Sequence, residues 1–155
     1  MGAGGEAGAR VLVVDDAPFL RRRLRDILEA AGHRVVAEAE DGDQALALYE
    51  EHLPDVVTLD LVMPRRDGLE TLRALRARHP DAAVIVCTSL SGEPALLEAV
   101  RLGACDYVLK PVSPGRLLEA VAKALEAVRR ARGPRPQGAG AGGGAAPGAP
   151  EGRKP

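Results

Sequence analysis

Asp15-Asp16, Asp60, Thr88-Ser89 and Lys110-Pro111 each stand directly after a short apolar run, namely VLVV, VVTL, VIVC and DYVL. If those runs are neighbouring strands, three acids, a hydroxyl and one lysine meet on a single rim. Three close carboxylates repel one another strongly unless a cation sits among them. Oxygen-only ligands that leave positions for water and phosphate suit Mg2+. A lysine opposite them offers a point charge for a phosphoryl oxygen. The chemistry that calls for this set is phosphoryl transfer to a carboxylate. Any one of these residues alone would read as a helix cap, a loop hydroxyl or a surface lysine. Their joint placement at four run ends is what points to a site.

The elements that must position them follow from the apolar pattern. Strand-like runs fall at 10–14, 34–39, 55–59, 82–87 and 106–110. The first, third and fourth are nearly continuous aliphatics, as in parallel strands covered on both faces. The second alternates after Val36 and predicts an edge. Between the first two runs, Leu20, Leu24, Ile27 and Leu28 make an amphipathic helical stripe, which turns Arg21–Arg23 mainly outward. Pro18 suits the first helical position, although Ala17 is a poor N-cap. Further helices are predicted at 42–51, 68–78, 93–103 and 113–131, the last with Leu118, Val121, Leu125 and Val128 inward. Five strand–helix units predict an α/β fold, a right-handed, doubly wound, five-stranded parallel sheet with five helices. In such sheets ligands bind at the carboxyl ends of strands, near the switch point.

Composition narrows the functions. Residues 133–155 hold 18 Gly, Ala or Pro in 23 places, which leaves 132 residues for one domain with an aliphatic core. The boundaries expected are a flexible N-terminus at 1–8, a domain at 9–131 and a disordered Gly/Ala/Pro-rich tail at 132–155. The formal charge is −1 overall and −3 without residues 133–155, which argues against a basic nucleic-acid surface. No apolar run approaches the roughly 18 residues of a membrane span, and the N-terminus lacks a signal-peptide pattern. A cytoplasmic protein without membrane insertion is expected. Cys87 and Cys105 form no disulfide framework and read as small buried hydrophobes. His33, His52 and His79 precede strands at the end opposite the acids and read as surface turn residues.

The segments VLVVDD (11–16), VTLDLVMPRRDG (57–68), IVCTS (85–89) and GACDYVLKP (103–111) together resemble the response-regulator receiver family. The resemblance covers about residues 9–131 and is nearest to the family's single-domain chemotaxis regulators. It implies a flavodoxin-like strand order of 2-1-3-4-5. It implies that Asp60 accepts a phosphoryl group from a sensor histidine kinase. Asp15, Asp16, Asp60 and the backbone carbonyl of Val62 would then hold Mg2+. Lys110 would pair with the phosphate, Thr88 would hydrogen-bond it, and Tyr107 would be the rotating switch aromatic. The output would be a partner-binding face of helix 4, strand 5 and helix 5, with a flagellar motor switch protein as candidate partner.

Val112 stands where the family often has Phe, and Val62 and Leu90 flank the acceptor where a polar side chain could align a hydrolytic water. Two other functions compete. One is a single-domain receiver in a non-chemotactic phosphorelay or transcription pathway. The other is an aspartyl-phosphate phosphohydrolase, which would want a second acid two places after its nucleophile, where Val62 stands. The expectation is therefore a binding switch and not a turnover enzyme.

Overall fold

The computed structural model describes residues 8–63, 67–89 and 92–132. Its elements are β1 (Arg10–Val14), α1 (Pro18–Ala30), β2 (Arg34–Ala39), α2 (Gly42–His52), β3 (Val56–Leu59), α3 (Gly68–Arg78), β4 (Ala83–Thr88), α4 (Glu93–Arg101), β5 (Asp106–Leu109) and α5 (Pro114–Arg132). All strand pairs are parallel and the order is β2-β1-β3-β4-β5. This is the strand–helix alternation and the edge position of β2 that the sequence predicts. Among the described residues no helix is long and apolar enough to cross a membrane.

The alternation of side chains along each strand splits the core into two layers. Val11, Val13, Val56, Ile85 and Cys87 pack under α1 and α5 with Leu24, Leu28, Leu117 and Val121. Leu12, Val14, Val57, Leu59 and Val86 face α2, α3 and α4 with Leu46, Leu72 and Leu75. Strands β3 and β4 are buried at every position, so the carboxyl rim stands on a rigid apolar slab.

Four expectations need correction. α5 is buried through Leu117, Ala120, Val121, Ala124, Leu125 and Val128, with Leu118 only flanking the core. Val121, Leu125 and Val128 are inward as expected, and Leu117, four places before Val121, takes the place expected for Leu118. α4 ends at Arg101 instead of 103. Gly103 takes φ +100°, and the amides of Gly103 and Ala104 donate to Val100 O and Ala99 O at 3.0 Å each, a Schellman stop. Cys105 is exposed, since it precedes the edge strand β5 outside the helix cover, whereas Cys87 is buried and burial pushes its thiol up to about 12. His33 is half-buried and accepts a hydrogen bond from Ala9 N at 2.9 Å, and burial holds its pKa below the ordinary value. The expected N-terminal and C-terminal flexible segments lie outside the described residues, apart from Gly8 and from Arg132, which closes α5.

Thr58, in β3 two residues before Asp60, has a buried hydroxyl with no hydrogen-bond partner among the described residues. A buried unpaired hydroxyl costs about 1–3 kcal/mol, and valine has nearly the same shape. Thr58→Val is therefore expected to raise unfolding free energy by about 1 kcal/mol or more in urea denaturation. A stability loss would show that the hydroxyl is satisfied in solution.

Candidate functional site

β1 and β3 flank the switch point, because the chain leaves β1 toward β2 on one side and β3 toward β4 on the other. Val14 and Leu59 are in register, so Asp15 and Asp60 emerge side by side from adjacent strand ends. Asp60 N donates to Val14 O, and Asp15 N donates to Ala39 O, each at 3.0 Å. Asp15, Asp16 and Asp60 present carboxylate oxygens that lie within 4.8 Å of one another. Asp15 and Asp60 are buried, and Asp16 is exposed.

Each buried carboxylate is held at both oxygens. Asp15 Oδ1 accepts from Ala17 N at 2.9 Å and Asp60 Oδ1 from Val62 N at 3.2 Å. Their Oδ2 atoms converge on Lys110 Nζ, at 2.7 Å from Asp15 and 3.2 Å from Asp60. Burial works against the lysine's charge. The hydrogen bond that the ammonium donates to Asp15 and the charges of Asp15 and Asp60 outweigh it and hold the ammonium above its ordinary pKa. Lys110 N donates to Thr88 O at 2.9 Å, and the Lys110–Pro111 peptide is cis. Thr88 is the fully buried last residue of β4, in register with Leu109. Tyr107 lies half-buried on the α4 side of β5, where burial raises its phenol pKa.

Three carboxylates against one ammonium leave a formal charge of −2. Hard oxygen donors with that residual charge fit a divalent cation such as Mg2+. Asp15, Asp16 and Asp60 can hold it. The loop carrying Val62 is fixed by Gly68, whose amide donates to Leu61 O at 3.0 Å. A Cβ there would lie 2.5 Å from Asp60 O and closer still to Leu61 Cα, so only glycine permits this approach.

A family model described as the response regulator receiver domain matches residues 11–122. The chain belongs to that family. The chemotaxis protein CheY of Bacillus subtilis is 42% identical over 116 residues, covering 75% of this chain and 97% of the relative. A solved CheX–CheY–BeF3–Mg2+ complex from Borrelia burgdorferi matches with a TM-score of 0.72 and 31% identity, over 74% of this chain and 87% of that one. A protein-glutamate methylesterase/protein-glutamine glutaminase of Nitratidesulfovibrio vulgaris is 45% identical over 105 residues, covering 66% of this chain and 29% of the relative. The receiver module thus also occurs within longer chains.

The receiver's sequence-predicted residues Asp15, Asp16, Asp60 and Lys110 come together as expected, and Thr88 stands at the same rim. Val62 is 53% exposed beside them, while Leu90 lies outside the described residues. One rim residue was missed. Arg21, grouped with outward arginines, turns in and donates to Asp15 O at 2.6 Å while its Nε pairs with Glu38 at 3.1 Å. Its position, six places after Asp15 and one turn into α1, was the available signal.

Among the described residues no ion pair reaches Asp16. Asp16→Ala is therefore expected to weaken Mg2+ binding by roughly tenfold or more in calorimetric titration. Metal-free stability should stay level or rise, since one repelling charge is gone. A large stability loss would make Asp16 a structural cap instead.

Proposed function

We propose that this receiver is the phosphorylated switch of a two-component system, with Asp60 as the phosphoacceptor. The observation that carries the reading is the single ammonium of Lys110 shared by the buried carboxylates of Asp15 and Asp60. In the proposed step an Asp60 carboxylate oxygen attacks the phosphorus of a phosphohistidine on a sensor histidine kinase. The O–P bond forms as the P–N bond breaks, and the leaving imidazole takes up a proton. Asp15, Asp16, Asp60 and the Val62 carbonyl would hold Mg2+, which would supply charge neutralisation. Lys110 moves its charge onto a phosphoryl oxygen, and the Thr88 hydroxyl donates a hydrogen bond to another. Asp60 is a nucleophile in the covalent sense, and the protein remains a binding switch whose product is its own phosphorylated state.

Phosphorylation brings about −1.5 to −2 charges to an acidic rim. Drawing Thr88 toward them frees room that Tyr107 can take, and this changes the face of α4, β5 and α5. The extent of the likeness to chemotaxis CheY proteins supports a chemotaxis role, with a flagellar motor switch protein as partner and the cytoplasm as setting. The presence of the same module in longer relatives supports the second reading, a non-chemotactic phosphorelay or transcription pathway. An aspartyl-phosphate hydrolase is disfavoured by the apolar Val62, which offers no second acid.

The test is incubation of the full chain with acetyl phosphate and Mg2+, followed by intact-mass analysis. The native protein should gain one phosphoryl group, and both Asp60→Asn and chelation of Mg2+ should abolish the gain. Equal labelling of the Asn variant would remove Asp60 from the role.

A further inference from the structure

Arg116, in the first turn of α5, reaches across to β5 and grips Asp106 with both arms of its guanidinium. Nη2 lies 2.6 Å from Asp106 Oδ1, and Nη1 lies 3.3 Å from Oδ2. The same pair also holds the next residue at both of its backbone atoms. Tyr107 N donates to Asp106 Oδ1 at 2.8 Å, and Tyr107 O accepts from Arg116 Nη2 at 3.3 Å. Burial opposes the charge of Asp106, but the hydrogen bonds from Arg116 and from Tyr107 N outweigh it and keep the carboxyl below its ordinary pKa. β5 needs such a hold. It has four residues, pairs among the described residues only with β4, and ends in Leu109 with 47% of its surface exposed.

We propose that Arg116 and Asp106 form a clamp that fixes the main chain of β5 at Tyr107 and sets how fully the Tyr107 ring answers to phosphorylation. This rests on the reading of Tyr107 as the switch residue, and it adds the part that makes the switch two-state. A partly exposed ion pair contributes little to stability, but a planar two-armed fork fixes geometry. With its N–H and C=O held, the tyrosine can change state only by turning its side chain, so the strand stays put while the ring reports. Without the clamp the edge strand moves with the ring, and the two ring positions lose their distinction. Arg116 touches none of the residues proposed to react, so it is a positioning residue.

The experiment uses the full chain with 3-fluorotyrosine at its two tyrosines, with the Tyr107 fluorine resonance assigned through Tyr49→Phe. Spectra are taken before and after acetyl phosphate and Mg2+, with intact mass recording the phosphorylated fraction. In the native protein the Tyr107 resonance should shift on phosphorylation. In Arg116→Ala, and separately in Asp106→Asn, which keeps an acceptor for Tyr107 N, the shift should shrink about twofold or more at an unchanged phosphorylated fraction. Arg116→Lys, which keeps the charge and loses the fork, should fall between. A full native shift in both Arg116→Ala and Asp106→Asn overturns the clamp alone. A native resonance that does not move on a phosphorylated chain overturns the switch reading, and the clamp falls with it.

Discussion

Lys110 Nζ lies 2.7 Å from Asp15 and 3.2 Å from Asp60, and the shape of the whole rim depends on that cation. Two buried carboxylates on adjacent strands cannot coexist in an apolar slab without a counter-charge. The lysine comes from β5, two strands away from β3, so the ion pairs tie together strand ends far apart in sequence. They also fix the level at which the acids sit, which is the level where a third carboxylate, Asp16, stands open to solvent. The resulting surplus of negative charge is what makes the rim a place for a divalent cation and, in the proposed function, for phosphate.

The rest of the fold serves that constraint. The all-buried β3 and β4 give the rim a base that cannot deform cheaply, since packed cores resist small shifts. Gly68 lets α3 start against the backbone of Asp60 and Leu61, and Arg21 holds the backbone of Asp15 from the other side. In the proposed function the output lies on β5, at the edge of the sheet. The edge strand β5 carries both Lys110 at its end and Tyr107 in its middle. A change in what Lys110 holds therefore bears on the same edge strand that carries Tyr107.

Much of this was legible in the sequence because it depends on pattern. Continuous aliphatic runs marked β1, β3 and β4, the alternation after Val36 marked the edge strand β2, and residues directly after the runs marked the acidic rim. The parts that escaped depend on side chains whose direction is decided by tertiary partners. Arg21 and Arg23 look alike in a run of three arginines, yet Arg21 turns to Asp15 O and Glu38 while Arg23 donates to Val112 O. Arg116 reads as a polar residue on a surface helix until Asp106 is seen across the turn. Leu117 and Leu118 are equivalent in composition, and Leu117 is the buried one, four places before Val121 on the inward stripe. Cys105 has the small apolar character of a core residue, yet it stands in the turn just before β5 and is exposed.

The most direct measurement is equilibrium denaturation of native protein and Lys110→Met, each in chelator and again in Mg2+. If the ammonium is what permits two buried carboxylates, the variant should lose about 3 kcal/mol or more in chelator, as when one partner of a buried pair is removed. Mg2+ should restore part of that loss by supplying the missing positive charge. A variant as stable as the native protein in chelator would contradict the dependence of the rim on Lys110.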